Sequence, residues 1–210
     1  MPEPRILWED EDLRAIVKPL GVSSESCLHP GEFLIHRLDQ PTSGVLLLAR
    51  NQTSAQWGSE LFARRSVEKY YWVIPETAFQ ADEGRFHHWL SHQQKGNKSF
   101  ASAEPLPGQE EAWLDYQLRA RGDRYNLYEI RLWTGRTHQI RAQFAAEGHP
   151  IRGDLKYGAR RSLPGGGIDL LARHLCFLHP RTHQQIDLIA EPPEGDRLWA
   201  ALASSIIPPS

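Results

Sequence analysis

The 210 residues include 40% hydrophobic side chains and seven Trp, enough to bury a real core, so disorder is excluded for the bulk of the chain. The net charge of −2 hides an asymmetry: residues 116–183 carry twelve Lys/Arg against five Asp/Glu, and the segments on either side are acidic. A local excess of that kind draws in a polyanion or is simply a solvated basic face, and composition does not choose between them. The start, "MPEPRILWEDED", has no apolar signal region, and no stretch approaches eighteen apolar residues, so a cytoplasmic protein that neither crosses nor binds a membrane is expected. Cys27 and Cys176 fit no metal or redox spacing and are read as reduced thiols.

In chain order, "RILWEDEDLRAIVKP" predicts two short strands about an acidic turn at Glu9 to Asp12. "KPLG" ends the second, and residues 21–34 read as a loop. "GVLLLA" (Gly44 to Ala49) is apolar throughout and of strand length, hence a central strand. Asn51 is suited to cap a helix running to about Arg65, with Ala55, Leu61 and Phe62 facing inward. "VEKYYWVIP" is a strand ended by Pro75, and the polar residues 92–110 read as a loop. "EAWLDYQLRARGDRYNLYEIRLWTG" predicts a hairpin turning at Gly122-Asp123. "RTHQIRAQFAAEG" is a helix opened by Thr137 and closed by Gly148, followed by a basic, Gly-rich loop. A last hairpin turns near Pro180 to His183, and "EGDRLWAALASS" is a C-terminal helix. Strand pairs interspersed with helices give an α+β chain with a mixed or mostly antiparallel sheet.

Three clusters carry chemistry. "HRLDQPTSG" sets Arg37 and Asp39 before a turn at the mouth of a buried strand. An Asp there either satisfies turn amides or serves as a rigidly held carboxylate. "GRTHQIR" offers Arg136 and Arg141 around a helix start, where a guanidinium fork pairs with carboxylates or phosphates. Two surface arginines are the plainer reading. "KYYW" puts Lys69 and Tyr71 on one strand face and Tyr70 and Trp72 on the other. Such rings either stack on a base or fill a core. His87-His88, His92 and the trio His174, His179 and His183 show no metal-ligand spacing, so no metal is expected. "LPGGG" lacks the Lys-Ser/Thr of a phosphate loop, and no serine sits in a nucleophile elbow.

Together, "ILWEDEDLRAIVKPLG", "HRLDQPTSGVLLLAR", "VEKYYWVIP", "GRTHQIRAQFAAEGHPIRGDLKYG" and "LARHLCFLHPRTHQQIDL" occur in one order that resembles the RluA-type family of RNA pseudouridine synthases, from about Ile6 to about Pro193. The resemblance implies a pseudouridine synthase fold, an α+β arrangement with a long mixed sheet, flanking helices and a central basic cleft. It implies an isomerase acting on uridines of ribosomal or transfer RNA, without cofactor or metal. Asp39 falls on the catalytic aspartate, Arg37 on a residue that enters the RNA at the flipped uridine, and Tyr71 on the aromatic that stacks on the base, with Tyr70 as fallback. Arg136 falls on the basic partner of the carboxylate, with Arg141 as second choice. A single catalytic domain over residues 1–210 is expected, without the S4-like domain that members often carry ahead of it, acting as a monomer on an RNA partner. A non-catalytic RNA-binding protein of the same fold is the second hypothesis. A small-molecule hydrolase ranks last, because no second carboxylate stands at a recognisable spacing.

Overall fold

The computed structural model describes residues 4–206, which fall into two compact units. The first comprises the chain up to Tyr70 together with Leu171–Glu191. Its strands are β1 (Arg5–Glu9), β2 (Leu13–Lys18), β3 (Phe33–Leu34), β4 (Ser43–Ala49), the first half of β5 (Glu68–Val73), β10 (Leu170–Leu178) and β11 (Gln185–Ile189). β1 and β2 form the expected hairpin, with Asp10 accepting from the amides of Asp12 and Leu13 in its turn. β4 is buried at every position and lies between β2, antiparallel, and β10, parallel. It is therefore the central strand that its apolar run predicts, and the unit's sheet is mixed.

Asn51 caps α1 (Gln52–Ala63) through a reciprocal pair: its side chain accepts from the Ser54 amide, and the Ser54 hydroxyl accepts from the Asn51 amide. Ser54 and Gly58 are the residues of α1 that the unit buries, whereas Ala55, Leu61 and Phe62 are half-exposed. Small residues on that face let the helix approach closely; a Cβ on Gly58 would meet the Ile35 side chain at 2.7 Å. β10 and β11 form the second predicted hairpin of this unit.

The second unit is Tyr71–Leu170 with Pro192 onward. β6 (Glu83–Gln93), β7 (Lys98–Ser102), β8 (Glu110–Arg121) and β9 (Asn126–Leu132) form an antiparallel array in the spatial order β9-β8-β6-β7. The β8–β9 hairpin is as expected. The reading of residues 92–110 as a loop is corrected: β6 runs into it and β7 lies inside it, turning through Gly96 and Asn97, both at positive φ. α2 (Gln139–Ala146) packs Ile140 and Phe144 on Phe86, Leu114, Leu118 and Ile130. Its cap is His138 and not Thr137, at a φ of 55°. α3 (Arg197–Ser204) is capped by Asp196 and docks Trp199 Nε1 on Asp169 at 3.0 Å.

Candidate active site

The Asp39 segment is assembled inside the first unit. β2 pairs with β4 so that Lys18 stands opposite Gly44, which brings "KPLG" against "DQPTSG". The Thr42 amide donates to the Asp39 carbonyl at 2.9 Å, closing a four-residue turn with Asp39 at its first position. Ser24 Oγ donates to the Leu38 carbonyl and accepts from the Leu38 amide, both at 3.0 Å. Gln40 and Gly21 exchange two bonds, amide to carbonyl at 3.0 Å and Gln40 Nε2 to the Gly21 carbonyl at 2.9 Å.

Lys18 is the centre of this scaffold. The residue is wholly buried, and its ammonium donates to the carbonyls of Val22 at 2.7 Å, Pro19 at 2.9 Å and Gln40 at 3.3 Å. Burial pushes its pKa down to about 8, against the charges of Cys27 and Asp39, which act to raise it. The Lys thus joins two loops and sets a positive charge within electrostatic reach of Asp39. Sequence reasoning gave "KPLG" only a strand-ending role. A Lys at the end of the mostly apolar run "AIVK" was the signal available.

Gly44 explains the end of the motif. Its φ is 120°, and a Cβ there would lie 2.3 Å from the Ala172 carbonyl oxygen of β10. Only glycine admits β10 this closely. Behind it, His36 Nε2 accepts from the Leu47 amide at 3.0 Å, and the imidazole stacks on Phe62 at 4.5 Å. Burial, with Lys69 nearby, lowers that imidazole to about 3, so it is a neutral strut. Asp39 itself is half-buried and Arg37 exposed, so the structure presents Arg37 to solvent beside a fixed turn.

The "KYYW" faces alternate as read. Tyr70 stacks on His174 at 5.6 Å and donates to Glu68 at 2.8 Å, within the first unit. Tyr71, half-buried, packs at the edge of the second unit's core. Trp72 is buried and donates to Glu129 at 3.0 Å.

The two arginines of "GRTHQIR" differ in kind. Arg141 is buried and grips Asp154 through two bonds of 2.6 and 2.8 Å, with its guanidinium 4.8 Å from the Tyr157 ring. Arg136 is half-buried and reaches Glu110 at 2.5 Å and the Glu111 carbonyl at 3.2 Å. Gln139, overlooked in the sequence, orders the segment: its Oε1 accepts from the Arg136 amide at 3.0 Å and the Thr134 hydroxyl at 2.8 Å, and its Nε2 donates to the Trp113 carbonyl. His138 Nδ1 meets the Tyr157 hydroxyl at 2.9 Å, which also accepts from the Ser99 amide. The basic charge of residues 116–183 is partly met by acids from outside it: Arg121 pairs with Asp82, Arg136 with Glu110, Arg173 with Glu191 and Arg181 with Glu11. Arg160 and Arg161 are exposed.

The class that the structure defines is an α+β protein built on a large mixed sheet, with three α-helices among the described residues. Residues 30–146, more than half the chain, match the family described as RNA pseudouridylate synthase, and the chain belongs to that family. It is accordingly an isomerase that converts uridine to pseudouridine in RNA. It is 35% identical to tRNA pseudouridine synthase C of Haemophilus ducreyi over 88% of this chain and 89% of that one. It is 31% identical to ribosomal large subunit pseudouridine synthase D of Xylella fastidiosa over 94% of this chain and 69% of the relative. The solved structure of human RNA pseudouridylate synthase domain containing 4 superposes with a TM-score of 0.76 at 24% identity, covering 95% and 92% of the two chains, which shows the pseudouridine synthase fold. Among the described residues, no helix is long and apolar enough to cross a membrane.

Proposed function

We propose that this chain modifies selected uridines of ribosomal or transfer RNA, with Asp39 as the catalytic carboxylate acting on a flipped-out uridine. The observation that carries the reading is the held turn of Asp39 within the "HRLDQPTSG" motif, inside the segment that matches the family. Relatives named for both RNA classes support the substrate assignment.

The reaction breaks the N1–C1′ bond, turns the uracil, joins C5 to C1′, removes the C5 proton and protonates N1. It is redox-neutral and leaves the atom count unchanged. A carboxylate serves it by attacking covalently or by assisting cleavage and later proton removal. Arg37, exposed two residues before Asp39, enters the RNA in place of the flipped nucleotide. Unstacking costs a few kcal/mol, and stacking on Tyr71 returns roughly 1–3 kcal/mol. Arg136 is the basic residue of the site that meets substrate, since its partner Glu110 is exposed and exchangeable. Arg141, bound to a buried Asp, positions the helix start. Residues 1–210 are proposed to act as a single catalytic domain, monomeric and cytoplasmic.

Tritium release from RNA labelled at uracil C5 tests this reading, because isomerisation sheds that hydrogen and binding alone does not. Release from total RNA of a strain lacking the gene, and none from RNA of the parent strain, is the expected result. No release from either RNA favours the non-catalytic RNA-binding alternative.

A further inference from the structure

Among the described residues of the first unit, two clusters gather side chains of metal-ligating type: Asp10, Asp12 and His179, and His174, Cys176 and Asp187. The first is already committed. His179 Nδ1 accepts from the amides of Arg181 and Thr182, both at 3.2 Å, and its Nε2 lies 3.1 Å from Asp10. Arg181 Nε meets Asp12 at 2.6 Å. With two amides on Nδ1 and a guanidinium on Asp12, this cluster fastens the β10–β11 turn to the β1–β2 turn.

The second is differently built. The H-x-C spacing puts His174 and Cys176 on one face of β10. The hairpin register sets Asp187 of β11 directly opposite Cys176. The three ligand atoms lie within 4.8 Å of one another. His174 Nε2 is 2.9 Å from Asp187 Oδ1, and Gln185 Nε2 donates to Cys176 Sγ at 2.7 Å. The Tyr70 ring covers one face of the imidazole, and the charge of the Glu68 carboxylate reaches the Cys176 thiol. The side chains of His174 and Asp187 are 27% and 51% exposed, so a hydrated cation reaches them without unfolding the hairpin.

We propose that His174, Cys176 and Asp187 form a binding site for a divalent d-block cation of the zinc class. A thiolate, an imidazole and a carboxylate are the donor set that such ions select over calcium and magnesium. Ligand bonds of about 2.0–2.3 Å place tetrahedral donors roughly 3.3–3.6 Å apart, within reach by small rotamer adjustments of the present cluster. On binding, the thiol proton leaves to solvent, the imidazole proton moves from Nε2 to Nδ1, and the carboxylate is already ionised. One proton is released per cation. The fourth position falls to water or to Glu68. The ion would clip β11 to β10, the strand it pairs with. The spacing was unreadable in sequence because Asp187 comes from across the turn.

The test is a titration of the metal-free full chain with Co²⁺ near neutral pH. One equivalent is expected to give visible ligand-field bands and a near-ultraviolet thiolate-to-cobalt charge-transfer band, reversed by Zn²⁺, with about one proton released per ion when calorimetry is repeated in two buffers. Cys176→Ser should abolish the charge-transfer band. His174→Ala and Asp187→Asn should each weaken binding about tenfold or more, with circular dichroism unchanged. Cys27→Ser should bind as the parent does. No charge-transfer band, a band that survives Cys176→Ser, or one lost in Cys27→Ser overturns the assignment.

Discussion

Replacing Lys18 by Met keeps the length of the side chain and removes its charge. Three carbonyls, those of Pro19, Val22 and Gln40, lose the donor that the buried Lys18 supplies through part-buried bonds. A carbonyl left unpaired costs about 1–3 kcal/mol where it is buried and less where water reaches it, as at Gln40, and removal of the desolvated ammonium offsets part of the total. A net loss of about 2–4 kcal/mol is expected, which lowers Tm by roughly 4–16 °C for a chain of this size. The pH dependence has a definite sign. The folded pKa is about 8 and the unfolded value near 10.5, so between them the unfolded chain holds the proton that the folded chain has lost. Stability of the parent relative to Lys18→Met should therefore rise with pH across that window. The Asp39 turn also slackens, and a displacement of about 1 Å at a reacting group costs on the order of 10²-fold in rate. Urea unfolding from neutral pH to about pH 10.5 and tritium release at saturating RNA measure both effects. A variant within about 0.5 kcal/mol of the parent, with a flat pH difference and full turnover, refutes the scaffold role of Lys18.

Gly44→Ala sets a Cβ 2.3 Å from the Ala172 oxygen at a left-handed φ, so a loss of more than about 3 kcal/mol is expected by thermal unfolding; a Tm near that of the parent contradicts the close approach of β4 and β10. Arg141→Ala strands Asp154 in the core and should cost about 3–5 kcal/mol in urea unfolding. Arg136→Ala, whose partner is exposed, should change stability by less than about 1 kcal/mol, yet lower the salt slope of RNA binding by about one and reduce turnover. The reverse pattern for these two arginines would exchange their roles. Tyr71→Ala should cut kcat/KM by about 5- to 150-fold through lost base stacking, with Tyr70→Ala smaller; equal effects contradict the strand-face assignment.

Much of this was legible because the chain is well punctuated. Asn51, Gly122-Asp123 and Pro180 mark element ends with residues whose local chemistry fixes the turn or cap. The all-apolar "GVLLLA" needs no context to be read as a central strand. The β6–β7 hairpin was missed because its inward face includes His88, buried and bonded to Gln143, while His87 and Trp89 fill the outer face. Polarity there does not alternate, although the geometry does. The cap of α2 falls at His138, in a left-handed backbone conformation and without a side-chain cap, so no capping residue marks it in the sequence. Pairing is the least local property of all. Nothing within "GRTHQIR" indicates that Arg141 belongs to Asp154, thirteen residues on, or that Arg136 turns to Glu110, twenty-six residues back. Lys18 was passed over for the same reason: its three acceptors lie on two loops.

The central claim is that Asp39 performs the chemistry. Asp39→Asn preserves the side chain's size and the backbone bonds of the turn, including the Thr42 amide to the Asp39 carbonyl. The decisive measurement is tritium release by this variant from RNA labelled at uracil C5, alongside binding of the same RNA. Release at background with RNA affinity within a few-fold of the parent is the expected result; release at the parent's rate would contradict a catalytic role for Asp39.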